Sequence, residues 1–253
     1  MSDIMNFPRL VFVISFVVLW LSAYLGHLIC RWLRPLREEE RQDFGIVQTA
    51  ILTLLGLLIG FTFSMAVSRY DLRKNYEEAE ANAIGTEYVR ADLLPVADAA
   101  KLRDLLRNYL DERVLFYTAR NEVDLERIND STAQLQTKLW STVQASATAS
   151  PTPPVALVVS GMNDVLNSQG YTQAAWWNRI PIAAWGLMVA IAISCNLLIG
   201  YGVRQRGNLL FLVLPLAVSM SFFLIADLDG PRRGLIHVQP QNLISLSQSI
   251  RAY

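Results

Sequence analysis

The stretch IVQTAILTLLGLLIGFTFSMAVSRYDLRKNYEEAEANAIGTEYVRA, residues 46–91, decides the architecture. Its first half, Ile46–Val67, is an apolar run of bilayer-spanning length. Neither Gly nor Pro interrupts Arg69–Ile84, so the stretch predicts a helix that starts in the membrane and leaves it unbroken. Thr49, Thr53, Gly56, Gly60 and Ser64 are spaced 4, 3, 4 and 4, which places them on one line of a helix. Past the membrane the same line reads Asp71, Lys74, Asn75, Glu78, Asn82 and Gly85. A line that is small and polar in lipid and charged outside it is either a packing seam or the wall of a water path. Gly56, Gly60 and Ser64 alone favour packing, since small residues let membrane helices approach closely. The charged continuation favours the water path. Phe61 and Met65, one turn apart on another face, suit a hydrophobic constriction or plain contact with lipid and core.

Working outward, Leu10–Ile29 is a second span. No basic cluster precedes it and no small-x-small cleavage site follows, so a retained helix is expected rather than a signal peptide. Trp20, Tyr24 and Trp32 suit the interface. Arg31–Gly45 reads as a polar loop, with Arg31, Arg34, Arg37 and Arg41 beside four acidic residues. From Ser68 to Arg179 no run is long enough to cross a bilayer. Helical periodicity predicts an α-helical domain there, with core positions Leu102, Leu105, Leu106, Tyr109 and Leu110 in Asp98–Thr118. Leu125, Ile128, Leu135, Leu139 and Val143 play that part in Val123–Ala145, and Val158, Val159, Met162 and Val165 in Val155–Leu166. On the helix leaving the membrane, Leu72, Tyr76, Ala79, Ala83 and Thr86 form an apolar-to-small face roughly opposite the charged stripe. Ala145–Pro154 reads as a loop, and Trp176, Trp177 and Arg179 as an interfacial anchor.

A third span is expected at about Ile180–Tyr201, with Pro181 in its first turn, then a tight loop with Arg204 and Arg206. The fourth span, about Leu209–Ala226, contains Pro215, where a kink is expected. An irregular tail follows to Tyr253. The organisation is therefore all-α: a first membrane pair in 1–67, a helical extramembrane domain in 68–179, a second pair in 180–226 and a tail in 227–253. Four spans put both termini and the domain on one side. Arginine counts in the short loops lean towards those loops being cytoplasmic.

Composition narrows the function. The chain is 53% hydrophobic with 22 basic and 22 acidic residues, a balance that argues against nucleic acid. Two cysteines, Cys30 and Cys195, and two distant histidines, His27 and His237, give no disulfide framework or zinc spacing. There is no phosphate-binding glycine loop, no His-Glu-x-x-His and no Gly-x-Ser-x-Gly, so no enzyme is expected. The carboxylate pairs Glu77/Glu78 and Asp227/Asp229 read as solvated surface charges. Asp227 and Asp229, at a turn with Pro231 and Gly234, could instead help hold Ca²⁺, cap the chain reversal, or pair with Arg232 and Arg233. Asn129-Asp130-Ser131 matches a glycosylation acceptor within a helical segment. Span interiors carry no Asp, Glu, Lys or Arg, which disfavours a proton-coupled carrier and leaves a passive pore.

Leu54-Leu55-Gly56, Gly60-Phe61-x-Phe63-Ser64, Ser68-Arg69-Tyr70-Asp71-x-Arg73 and Glu77-Glu78-Ala79-x-Ala81-Asn82-Ala83-Ile84-Gly85 together resemble the bestrophin-like family of membrane proteins. Arg179-Ile180-Pro181 and Ile225-Ala226-Asp227-Leu228-Asp229-x-Pro231-x-x-Gly234 resemble its later motifs, and the resemblance runs over about residues 10–240. More distantly, the order of elements is similar to that of bestrophins, pentameric anion channels whose second helix lines the pore. That likeness implies a homo-oligomer in the cell membrane, a pore through the Thr49–Ser64 line or a Phe61/Met65 neck, and inorganic ions as cargo. It also implies a cytoplasmic domain, against the arginine count. Asp227–Gly234 is similar in place to the calcium clasp of animal bestrophins but much less acidic. The alternative is a non-conducting membrane scaffold whose helical domain binds another protein.

Overall fold

The computed structural model describes residues 7–32, 37–203 and 210–251, and these are helical almost throughout. The loop arginines Arg34, Arg204 and Arg206, and Leu209, lie outside the described residues. The elements are α1 (Pro8–Trp32), α2 (Glu38–Arg90), a 3-10 turn (Ala91–Leu93), α3 (Val96–Thr118), α4 (Glu122–Ala149), α5 (Pro153–Trp177), α6 (Ile182–Gly202), α7 (Leu210–Asp229) and α8 (Gln241–Arg251). Four helical stretches, Pro8–Trp32, Glu39–Leu93, Pro153–Gly202 and Phe211–Asp229, each contain a window long and apolar enough to cross a membrane. The protein is a multi-pass membrane protein.

Two units make up the chain. One holds the described residues up to Arg69 with Arg179–His237; the other holds Tyr70–Asn178 with Val238 onwards. In the membrane unit α1 packs along α6 and α7. Its tightest crossing is built on two glycines. A β-carbon on Gly26 would overlap the backbone of Leu197, and one on Gly200 would overlap the backbone of Ala23. This is the small-residue seam of a membrane helix pair. At Gly56 and Gly60, by contrast, an added β-carbon meets nothing within 4 Å. Helix α7 runs on through Pro215, as membrane helices can when neighbours re-satisfy the freed backbone.

The helical unit has its own core. Leu102, Leu106, Tyr109, Leu110, Ile128, Leu139, Val143, Val158, Met162 and Val165 are buried in it, and Leu105, Leu125, Leu135 and Val159 pack against it. These are the positions that periodicity selects. Asn121 caps α4, its side-chain oxygen accepting from Asp124 N at 2.7 Å.

Several expectations are corrected. The polar loop Arg31–Gly45 is helical from Glu38. Glu40 accepts from the backbone N–H of Arg37 at 3.0 Å, the back-reaching half of a capping box, and Glu39 suits the positive end of the helix. The loop Ala145–Pro154 shrinks to Ser150–Thr152, between α4 and an α5 that starts on two prolines and runs to Trp177. The tail is not irregular throughout, since α8 forms behind Pro240 with Leu243 and Ile250 buried. Trp176 is a core residue, its ring 5.0 Å from Phe116 and 5.3 Å from Tyr117; only Trp177 is exposed.

Candidate functional site

Helix α2 is 53 residues long, about 80 Å at 1.5 Å per residue, and its two sides differ along that whole length. On the line predicted from spacing, Thr49, Thr53, Gly56, Gly60, Ser64, Asp71, Asn75, Glu78 and Asn82 are all exposed on the single chain, with Gly85 partly so. Thr49 and Thr53 turn their hydroxyls back onto Gly45 O and Thr49 O, both at 2.8 Å, so each hydroxyl's proton stays within the helix and its oxygen faces outward. Phe61 and Met65, about a third of a turn away, are 61% and 43% exposed. Among the described residues nothing covers the apolar pair or the stripe from Thr49 to Asn82, while Gly85 lies close to Leu246 of α8.

The opposite side is buried, and beyond the membrane it is charged. The line Leu55, Thr62, Ala66, Arg73, Glu77, Glu80, Ile84 and Glu87 has no member more than 5% exposed. It lies roughly a quarter turn from the Leu72/Tyr76/Ala79 face, on which Leu72 and Ala79 are exposed. The expectation of a solvated Glu77 fails, since solvent is only the ordinary default for a charged side chain. The signal available was the 4, 3, 4, 3 spacing of Arg73, Glu77, Glu80, Ile84 and Glu87.

Each buried charge meets another element. Arg73 Nε donates to Ala175 O of α5 at 3.3 Å. Glu77 Oε1 accepts from Asn242 N and Leu243 N at 2.9 and 3.0 Å, while Oε2 accepts from the Asn242 amide at 2.6 Å. Glu77 is thus the anion at the N-terminus of α8, not the solvated carboxylate expected. Glu80 pairs with Arg113 Nε of α3 and accepts from Thr172 Oγ1 of α5 at 3.0 Å. Tyr117 OH donates to the same carboxylate at 3.5 Å, and the Arg113 guanidinium lies 4.4 Å from the Phe116 ring centroid. Burial, with Glu80 adding to it, pushes the phenols of Tyr109 and Tyr117 up, so both stay neutral, Tyr117 as a donor to Glu80 and Tyr109 as an acceptor from Gln136 Nε2 at 3.4 Å.

Glu87 differs from these. It is fully buried, and neither carboxylate oxygen has a hydrogen-bond partner among the described residues. Gly161 of α5 makes the space, since a β-carbon there would overlap the carboxylate. Burial pushes its pKa up to about 8, against the pull of Arg90 and with the help of Asp164. The folded protein therefore keeps a proton that the unfolded chain releases in the ordinary carboxylate range. Stability is expected to fall as pH climbs from that range towards about 8, and to level off beyond. Thermal midpoints taken across that window should fall more in the natural protein than in Glu87→Gln, which has nothing to ionise there.

In the membrane unit, Asp227 is buried and accepts from Leu235 N and Ile236 N at 2.7 and 2.8 Å. Asp229, also buried, accepts from Ile180 N at 3.1 Å and faces Arg69 at 3.8 Å. Of the readings open to this pair, the solvated one does not hold and the cap on the chain reversal does. Gly234 sits so close that a β-carbon would come within 2.9 Å of Asp227 Oδ1. The carboxylates thus cap the chain reversal. Calcium asks for six to eight oxygen ligands, and carboxylates turned to nitrogen donors do not fit it. Among the described residues no three His, Cys, Asp or Glu side chains converge to hold a metal. Asn129-Asp130-Ser131 lies inside α4.

A family model described as a bestrophin-like domain matches residues 16–243. A single-site variant of a bacterial bestrophin homolog from Klebsiella pneumoniae superposes with a TM-score of 0.65 at 13% identity, covering 95% of this chain and 98% of that one. A second variant of the same homolog gives 0.61 at 14% identity, with coverages of 95% and 97%. At such identity the likeness is one of fold. No curated protein matches the sequence.

Proposed function

The chain belongs to the bestrophin-like family, and on that premise we propose that it is a homo-oligomeric passive ion channel whose pore is walled by α2. The observation that carries this is the two-sided build of that helix. Its Thr49–Ser64 line and the charged continuation through Asp71, Asn75, Glu78 and Asn82 are uncovered from end to end, while the opposite line is locked into the protomer. Polar oxygens and glycines that no described segment of the same chain covers suit a water-filled axis, where they need no protein partner. The spans carry no interior charge that could serve ion coupling, so conduction would be downhill.

Phe61 and Met65 would form the apolar neck, and small inorganic ions would be the cargo. The preference for anions rests on the resemblance to bestrophins, as does the placing of the 68–179 domain and both termini in the cytoplasm of a cell-membrane protein. In planar bilayers the purified protein should give discrete conductance steps, and Phe61→Ala or Gly60→Leu should alter the step size several-fold. Silent bilayers from well-folded oligomer overturn the proposal. The uncovered Gly56 and Gly60 also suit a second reading, a non-conducting scaffold sealed through those glycines with its helical domain binding another protein. It predicts that Gly60→Leu breaks assembly and that no preparation conducts.

A further inference from the structure

Within the helical unit, the outer turns of α2 and the middle of α8 line a shallow, open groove of about 640 Å³. Its floor and walls are Ala81, Gly85, Val89 and Leu246; its polar groups come from Asn82, Thr86, Ser245, Ser249 and Arg90. Gly85 has a specific part, since a β-carbon there would press on Leu246 Cδ1 at 3.1 Å and crowd the floor. Among the residues that line it Arg90 alone is ionisable, and no carboxylate enters the lining. Asn82, Thr86 and Ser245 hydrogen-bond to no group among the described residues, and Ser249 donates to Leu246 O at 2.8 Å.

Arg90 itself is underused. One guanidinium nitrogen, Nη1, donates to Leu157 O of α5 at 3.3 Å, and among the described residues no carboxylate forms an ion pair with it. The carboxylate nearest in sequence, Glu87, is buried against Gly161 and makes no hydrogen bond to any described residue. The other charge facing Glu87 is Asp164 from α5, which is exposed and outside the lining; α8 contributes Leu246 and two hydroxyls to the groove, and no charge. Arg90 Nη1 and the Glu87 carboxylate both lie against Gly161, yet the two form no hydrogen bond or ion pair, and burial holds Glu87 towards its neutral form.

We infer that this groove binds a small organic carboxylate, its head on the Arg90 guanidinium and the hydroxyls around it, its carbon chain against Val89 and Leu246. A guanidinium presents paired donors that match the two oxygens of a carboxylate, and neutral hydroxyl and amide groups complete the coordination without competing charge. Apolar walls with a few placed polar groups in a volume of this order are the usual make-up of a small-ligand site. Nothing in this depends on whether the protein conducts.

The test is equilibrium dialysis of labelled butyrate against the full chain in detergent, at pH 6 and pH 10, on either side of the Glu87 titration. Saturable binding is expected at the lower pH and about tenfold weaker binding at the higher, because an ionised Glu87 then offsets Arg90. Glu87→Gln should hold the affinity level across the two. Arg90→Gln should remove binding, and the uncharged double variant Thr86→Val/Ser245→Ala should weaken it several-fold with helicity unchanged. Undiminished binding by folded Arg90→Gln overturns the assignment, as does butyrate that never saturates. Inorganic phosphate or chloride binding as tightly as butyrate also overturns it, since the apolar walls would then take no part.

Discussion

Gly200→Ala is expected to destabilise the detergent-solubilised protein by about 3 kcal/mol or to prevent its folding, while Gly60→Ala leaves stability unchanged or slightly raised. The two substitutions add the same methyl group to a membrane helix. At Gly200 the new carbon would overlap the carbonyl of Ala23 on α1, with the carbonyl carbon 2.7 Å away and the Cα 3.0 Å away. Those atoms are backbone and have no rotamer in which to retreat, so α1 and α6 must separate. Gly26 repeats the arrangement from the other side, meeting Leu197 C at 2.9 Å and Tyr201 N at 3.0 Å. Separating the helices also loosens the seat of His27 and Asn196, both buried on these helices. At Gly60 nothing lies within 4 Å, and alanine is the better helix former by about 1 kcal/mol. Thermal unfolding of the two variants side by side is the measurement. A Gly60→Ala protein as unstable as Gly200→Ala would mean that a second copy of the chain lies closely against that glycine, which counts for the sealed scaffold over the open pore.

The contrast shows what was legible in the sequence and what was not. The four apolar runs announced themselves, because a run of about twenty such residues has few other uses. The domain core was also legible, since Leu102, Leu106, Tyr109 and Leu110 repeat at helical spacing among polar residues. Which glycines form a seam was not. Gly26, Gly56, Gly60 and Gly200 are alike in one dimension, and only the register of the partner helix decides which backbone comes close. The buried charges were hidden for another reason. Glu77 reads as solvated until the N-terminus of α8 arrives beside it, and α8 is a short polar helix 165 residues later in the chain. Asp227 is the same case, with Leu235 and Ile236 as the arriving donors. For the candidate pore wall, spacing identified the stripe, and the fold adds that from Thr49 to Asn82 none of the described residues covers it.

Arg113→Met is expected to cost about 3–5 kcal/mol, because it leaves the Glu80 carboxylate buried with its cation removed. Both side chains are fully buried. Without Arg113 the carboxylate keeps only Thr172 Oγ1 at 3.0 Å and the longer contact from Tyr117 at 3.5 Å, too little to hold a full charge in an apolar core. The double change Glu80→Leu/Arg113→Met should cost far less than the single one, since an apolar pair of similar volume asks for no desolvation. Denaturant unfolding of the single and double variants, followed by helical circular dichroism, checks this. A loss under about 1 kcal/mol for Arg113→Met would mean that Glu80 simply takes up a proton. The pair joins α2 to α3 and, through Thr172, to α5, on the same helix whose other side carries the uncovered stripe.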